Sequence, residues 1–381
     1  MPTRADGRSD YLGRLDWILL LAALALSVYG SILVWSASKA DLAPRTGDLQ
    51  YFLKRQLLNL VIGLVLGYLV SRVNHRLLRA YTPVLYVVSL IGLLVVLIPG
   101  VGSSIAGAKA WLALPGGFTI QPSEFAKVAI ILMMAMILAE KRDAESEPRD
   151  ADVLQALIVA AIPIAIVLVQ NDTGTVLVMG TIVITIVAVS GARTRWLVGL
   201  LLGTVVAVLL AIQLHLLQPY QVDRLTSFID PENASSQSAG FNTEQARIAV
   251  GGGGLLGRGL FEGPQTQGSF VPVNESDFVF TVAGEELGFV GGATVIVLLG
   301  VVLWRGIRIA LRAEDLFGRL VATGVVAWFA FQAFENIGMT LGIMPVTGVT
   351  LPFVSYGGTS MFATWVGVGL LQNIRVHEAD S

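Results

Sequence analysis

"SDFVFTVAGEELGFVGGATVIVLLGVVL", residues 276–303, sets an acid, Asp277, directly against an apolar run that begins at Phe278. About twenty such residues cross the roughly 30 Å hydrocarbon layer as a helix, and this run is longer than that. Runs of the same kind recur at about 16–37, 53–70, 81–98, 124–140, 154–169, 175–190, 197–216, 319–339 and 358–374, which with 278–303 makes ten expected spans. The expected fold is an all-α integral membrane protein of about ten transmembrane helices, one domain over 1–381, with a long outer loop at 217–277 between the seventh and eighth spans.

Composition supports that reading. Of 381 residues, 54% are hydrophobic and 14% charged, against about one quarter charged in a soluble domain. A net charge of −2 lacks the basic footprint of a nucleic-acid partner. The absence of cysteine removes disulfides, thiol nucleophiles and cysteine metal sites. His75, His215 and His377 are too scattered to form a zinc cluster. The first run follows a charged leader and ends in "SAS", 36–38, as a signal peptide would, yet it is too long for one, so a retained first span is expected. With both termini inside, the inner segments hold twice as many Lys and Arg residues as the outer ones, which fixes the orientation.

Ionisable residues near the outer level are the candidates for chemistry. Asp277 has two readings: a capping box with Asn274 as N-cap and Asp277 at N3, or an accessible acid held by a helix start. In "QPSEFAK", 121–127, Pro122 suits the first helical position and Glu124 falls at N3. Lys127 pairs with Glu124 one turn on, snorkels outward, or faces a cavity. Asp172, in "QNDTG", reads as a turn residue or a site residue, and Glu335 beside Asn336 as a buried hydrogen-bonding group. Glu285 lies about 12 Å down the eighth helix from Asp277, facing the same cavity or another helix. "GGGGLLGRGL", 251–260, reads as a turn or as a segment offering backbone N–H groups to phosphate. "SYGGTS", 355–360, suits close helix packing.

"KAWLALPGGFTIQPSEFAK", "QNDTGTVL", "YQVDRLTSFIDPE", "AVGGGGLLGRGL", "SDFVFTVAGEELGFVGG" and "NIGMTLGIMPVTGVTLPFVSYGGTSM" together resemble, in order and over nearly the whole chain, the SEDS (shape, elongation, division and sporulation) family. "NIGMTLGIMPVTGVTLPF" is closer to its RodA elongation branch than to its FtsW division branch. The resemblance implies a peptidoglycan glycosyltransferase of the bacterial cytoplasmic membrane that polymerises lipid II, a disaccharide-pentapeptide on undecaprenyl pyrophosphate, at the outer face. The family's essential acid, in its "DFIF" motif, maps to Asp277 in "DFVF". Asp277 is then the general base on the acceptor hydroxyl. Lys127, with Arg224 and Arg258, receives the leaving diphosphate, while Glu124, Asp172 and Trp111 complete the substrate contacts. A divalent cation, Mg or Mn, would bind through Asp277, Glu124 or Asp172.

Two departures matter. Val273 stands where many relatives carry an acid, and Glu275 where they carry a histidine; Ala110 interrupts a basic pair before Trp111. The resemblance also implies a class B penicillin-binding protein as crosslinking partner, alongside other elongation proteins and membrane lipid. The rival readings are a lipid II flippase and a noncatalytic scaffold of the cell-wall machinery.

Overall fold

A computed structural model describes residues 11–42, 48–105, 107–115, 118–140, 148–214, 221–222, 224, 228 and 239–377. His215 and most of the loop at 217–238 lie outside them. Every expected span is helical: α1 (Trp17–Leu42), α2 (Tyr51–Arg72), α3 (His75–Leu97), α4 (Pro122–Ala139), α5 (Asp150–Val169), α6 (Thr173–Val189) and α7 (Thr194–Gln213) come first. A loop helix, α8 (Ala239–Gly252), precedes α9 (Val279–Glu286), α10 (Gly288–Arg312), α11 (Leu316–Leu341) and α12 (Gly358–His377). By length and apolar composition, α1 to α5, α10 and α11 suffice to cross a membrane, and α6 and α7 are shorter apolar helices. The protein is a multi-pass membrane protein.

Burial sorts the helices. Almost every side chain of α4 is buried, and most of α11 and α12, so these three stand at the centre. α2, α3 and α5 bury one stripe and expose leucines, valines and isoleucines such as Val61, Val88 and Ile158, as lipid-facing helices do. Hydroxyls inside the apolar helices satisfy themselves on preceding carbonyls; Ser27 Oγ donates to Ala23 O at 2.9 Å and Thr364 Oγ1 to Ser360 O at 2.6 Å.

Three expectations need correction. The eighth span is two helices, broken at Leu287–Gly288. Gly288 takes φ +66°, and the glycine-rich segment lodges at the break. Arg258 N–H and Gly259 N–H donate to the carbonyls of Glu285 and Glu286 at 3.0 Å each, and Phe289 N–H to Gly254 O at 2.8 Å. A Cβ on Gly257 would sit 2.1 Å from Glu286 O, so only glycine permits the approach. Those amides are spent on helix carbonyls and do not face a phosphate.

Second, the connection between α3 and α4 carries a small sheet that the all-α expectation did not include. β1 (Gly102–Ile105), β2 (Ala108–Leu114) and β3 (Phe118–Ile120) form an antiparallel sheet in that order, with Ser103 opposite Trp111 and Leu112 opposite Ile120. Lys109 Nζ ties it to the end of α3 through Leu97 O at 3.0 Å. Third, close helix packing comes from elsewhere than "SYGGTS". α12 presses on α2 where a Cβ on Gly369 would lie 2.4 Å from Gly67 O, whereas Gly358 meets only ordinary contact with Asn59.

At one end of the bundle, α1, α10 and α12 are tied. Buried Asp16 accepts from Arg305 Nε and Nη2 at 2.8 and 2.5 Å, and Gln372 bonds both the N–H and the C=O of Asp16. Asn373 Nδ2 nearby donates to Val70 O and Val73 O at the end of α2.

Candidate functional site

The opposite end of the bundle encloses a cavity of about 300 Å³. Its floor comes from α4 and α11, one wall from β2 and β3, another from the start of α6, and its cover from the residues before α9 and the α11–α12 connection, 342–357. Asp277, Lys127, Glu124, Asp172, Arg224 and Trp111 all line it. Arg258 does not; it lies with the helix break.

α4 starts as its sequence directs. Pro122 is the first helical residue and Glu124 sits in the first turn. One turn on, Lys127 Nζ reaches Glu124 Oε1 at 2.8 Å, and both side chains are buried. The ammonium does not snorkel outward. It also donates to Gln332 Oε1 at 3.3 Å and lies 4.7 Å from the centre of the Trp328 ring, a cation–π distance. Gln332 itself holds Trp328 Nε1 and donates to Thr350 O at 2.8 Å. Glu124 Oε2 is buried with no hydrogen-bond partner among the described residues.

Asp172 is more than a turn residue: it caps α6, accepting from Thr175 N at 3.1 Å and Thr175 Oγ1 at 2.8 Å. Its Oδ2 also accepts from Gln121 Nε2 at 2.8 Å, which joins the starts of α4 and α6. The 342–357 connection passes over this point. A Cβ on Gly174 would come within 2.6 Å of Val349 Cγ2.

Asp277 is not at N3 of a capping box. The helix starts at Val279, with Phe278 as an N-cap that makes no side-chain bond. The turn before it takes up the free amides instead. Val273, at φ +58°, offers its carbonyl to the N–H groups of Ser276, Asp277 and Phe278 at 3.2, 3.1 and 3.4 Å. Asp277 Oδ1 accepts from Ser276 Oγ at 2.9 Å, and Gly348, at φ +75°, lies so close that its Cβ would be 3.3 Å from Asp277 Oδ2. Although the carboxyl opens on the cavity, protein surrounds it otherwise. That desolvation pushes its pKa above the ordinary range, against the pull of Ser276 Oγ and the Arg224 charge, while Asp172 adds to the rise. Arg224 is steadied by donation to Thr347 O at 3.2 Å.

Several lining residues escaped the sequence reading. Arg55, on α2, lines the cavity beside Tyr356, Phe118 and Glu275. Gln332 carried a usable signal, a polar side chain in an apolar helix. Glu335 is buried and accepts from Thr347 Oγ1 at 3.0 Å behind the lining. Glu285 faces away, accepting the N–H groups of Gln265 and Thr266 at 2.7 and 2.8 Å. Among the described residues, no three His, Asp or Glu side chains group closely enough to hold a metal ion. Asp277, Asp172 and Glu124 line the cavity, and a magnesium ion takes only one or two protein carboxylates beside substrate phosphates.

Comparisons with known proteins agree with this architecture. A family model described as a cell cycle protein, FtsW/RodA/SpoVE, matches residues 16–380. A probable peptidoglycan glycosyltransferase FtsW of Trichlorobacter lovleyi is 37% identical over 363 residues, 95% of this chain and 93% of its own. Peptidoglycan glycosyltransferase MrdB of Escherichia coli is 35% identical over 363 residues, 95% and 94% of the two chains. A solved chain from work on the structural coordination of polymerization and crosslinking by a peptidoglycan synthase complex superposes with a TM-score of 0.78 at 31% identity, covering 96% of this chain and 99% of that one. Fold, cavity-bearing motifs and near full-length similarity converge: the chain belongs to the FtsW/RodA/SpoVE family, the SEDS proteins.

Proposed function

We propose that this SEDS glycosyltransferase polymerises lipid II into glycan strands, with Asp277 as general base and the cavity facing outward across the cytoplasmic membrane. The observation that carries the reading is one carboxylate, raised in pKa by its surroundings, lining the same concavity as Lys127, Arg224 and Arg55. A base must reach the acceptor hydroxyl as the new bond forms. The GlcNAc 4-hydroxyl gives its proton to Asp277 as its oxygen bonds to the donor's anomeric carbon. The bond from that carbon to the diphosphate breaks, and undecaprenyl pyrophosphate leaves. A diphosphate departs without prior protonation, so no second catalytic acid is required.

Cations stabilise charge that grows on the leaving group. Arg224, Arg55 and the buried Lys127 line the space where it would develop. Trp111 offers a flat apolar wall to the sugar or lipid, and Asp172 and Glu124 act through the residues they hold. Both an FtsW and an MrdB match at nearly equal identity, so the elongation role rests on the stretch that begins at Asn336. A class B penicillin-binding protein would supply crosslinking, as the similarity to a chain of a synthase complex suggests.

The test is purified protein, with such a partner, given lipid II in liposomes. Glycan strands from the wild type, and none from a folded Asp277→Asn variant that still binds its partner, support polymerisation. Lipid transfer across the bilayer without polymer would instead establish the flippase, and an active Asp277→Asn protein would remove Asp277 from the chemistry.

A further inference from the structure

Three consecutive backbone carbonyls lead into the cavity carboxylate, and each is held by a different donor. Glu275 O accepts from Tyr356 N–H at 2.8 Å, Ser276 O from Ser355 Oγ at 2.5 Å, and Asp277 O from Asn336 Nδ2 at 2.7 Å. The first two donors belong to the 342–357 connection, the third to α11. Asn336 is fully buried, and the same Nδ2 also donates to Val349 O at 2.7 Å.

This use of one amide is specific. A primary amide carries two N–H donors on one nitrogen, and both are committed to carbonyls on two different segments. Aspartate at this position would set oxygen against oxygen, leucine would leave two buried carbonyls unpaired, and glutamine would be one methylene too long. Gly348, one residue before Val349, is the residue packed on the Asp277 carboxylate. Asn336 therefore fixes both the main chain that bears the carboxylate and the segment that lies against it.

We infer that Asn336 is a positioning residue for Asp277: its two N–H donors set where the carboxylate stands relative to Arg224 and the acceptor hydroxyl. The inference rests on the reading of Asp277 as the base. Ser355 supports the same end, since its hydroxyl donates to Ser276 O and accepts from Leu351 N–H at 2.8 Å.

The experiment compares Asn336→Leu and Ser355→Ala with Asn373→Leu in the full-length protein. Asn373 serves as the control because it too is fully buried and donates to backbone carbonyls, but at the other end of the bundle. Polymerisation is followed with lipid II, partner present, across pH, with melting temperature measured alongside. Misplacing a reacting group by an ångström costs about a hundredfold in rate, so Asn336→Leu should lower kcat by about that factor with KM for lipid II little changed. The acid limb of its pH profile should also move up, because Ser276 Oγ and Arg224, which favour the charged carboxyl, lose register with it. Asp172 on α6, Glu275 on the same turn, Glu124 and Lys127 on α4, Arg55 on α2 and Glu335 on α11 are the other charged groups around it, and all stay in place. Ser355→Ala should act in the same direction more weakly, and Asn373→Leu should lower melting temperature without moving the limb.

If Asn336→Leu and Asn373→Leu behave alike, with melting temperature reduced and the kcat and pH limb of the folded fraction intact, the positioning role is overturned. An active Asp277→Asn protein in the same assay would overturn the base itself. An inactive Asp277→Asn beside a fully active Asn336→Leu would remove only the inference about Asn336.

Discussion

Lys127 Nζ lies 2.8 Å from Glu124 Oε1, one turn apart on α4, nearly all of which is buried. The pair is closed on one side by Gln332 and the Trp328 ring and opens on the other to the cavity. Breaking a buried pair from one side leaves a charge without compensation, which costs about 3–5 kcal/mol. Lys127→Met or Glu124→Gln alone should each destabilise by about that amount, and the double variant by clearly less. Thermal denaturation in detergent measures all three; an additive double variant would show that the pair is not coupled.

The pH dependence of polymerisation should follow the charges around Asp277. A base works only when unprotonated, so its raised pKa places the acid limb of kcat/KM above the ordinary carboxylate range, with activity falling as pH drops through it. Asp172→Asn keeps the cap on α6 but removes a negative charge that favours the protonated form, so the limb should move down. Arg224→Gln removes a positive charge that favours the ionised form, so the limb should move up. Rates measured across pH 4 to 9 (roughly the span between carboxylate and lysine titration) give both shifts, and a limb indifferent to either substitution would mean that another group controls it.

Arg224 and Arg258 look alike as loop arginines in the sequence, and the structure separates them. Arg224 lines the cavity and Arg258 sits at the break between α9 and α10. Loss of one preorganised group at the developing charge costs about a hundredfold, so Arg224→Ala should lose about that much kcat. Arg258→Ala should retain near-normal turnover, since its role there is carried by its backbone N–H. Steady-state rates with lipid II decide the point.

Val273 holds a left-handed backbone that a β-branched residue adopts at a cost, and its side chain is about half exposed. Asn tolerates that conformation, so Val273→Asn should raise stability by about 1 kcal/mol, read as a higher melting temperature. A fall instead would show that the valine side chain makes contacts that outweigh the strain.

The spans were legible because a membrane demands long apolar runs, and nine of the ten runs each fall on one helix while the eighth falls on two. What the runs hid was the interruption at Leu287–Gly288. Its cause is a backbone segment thirty residues earlier, a contact that no local pattern records. Asp277, Lys127 and Asp172 were legible as ionisable groups at one level, but their partners were not. Asn274 and Asp277 matched a capping box, yet the turn at Val273 took the amides that the box would have served. Arg55 became a site residue only through helix packing, whereas Gln332 stood out as a polar side chain in an apolar helix. The small sheet was invisible because its strands are three to seven residues long, shorter than alternation can reveal.

The bond between buried Asp16 and Arg305 ties α1 to α10 at the end of the bundle away from the cavity. Arg305 lies 17 residues from Gly288 at the start of α10, about 26 Å along the helix, so a tilt of roughly four degrees about that anchor carries that tip about 2 Å. α12, whose Gly358 and Ser360 line the chamber, is the tied helix that joins this anchor to the surroundings of Asp277.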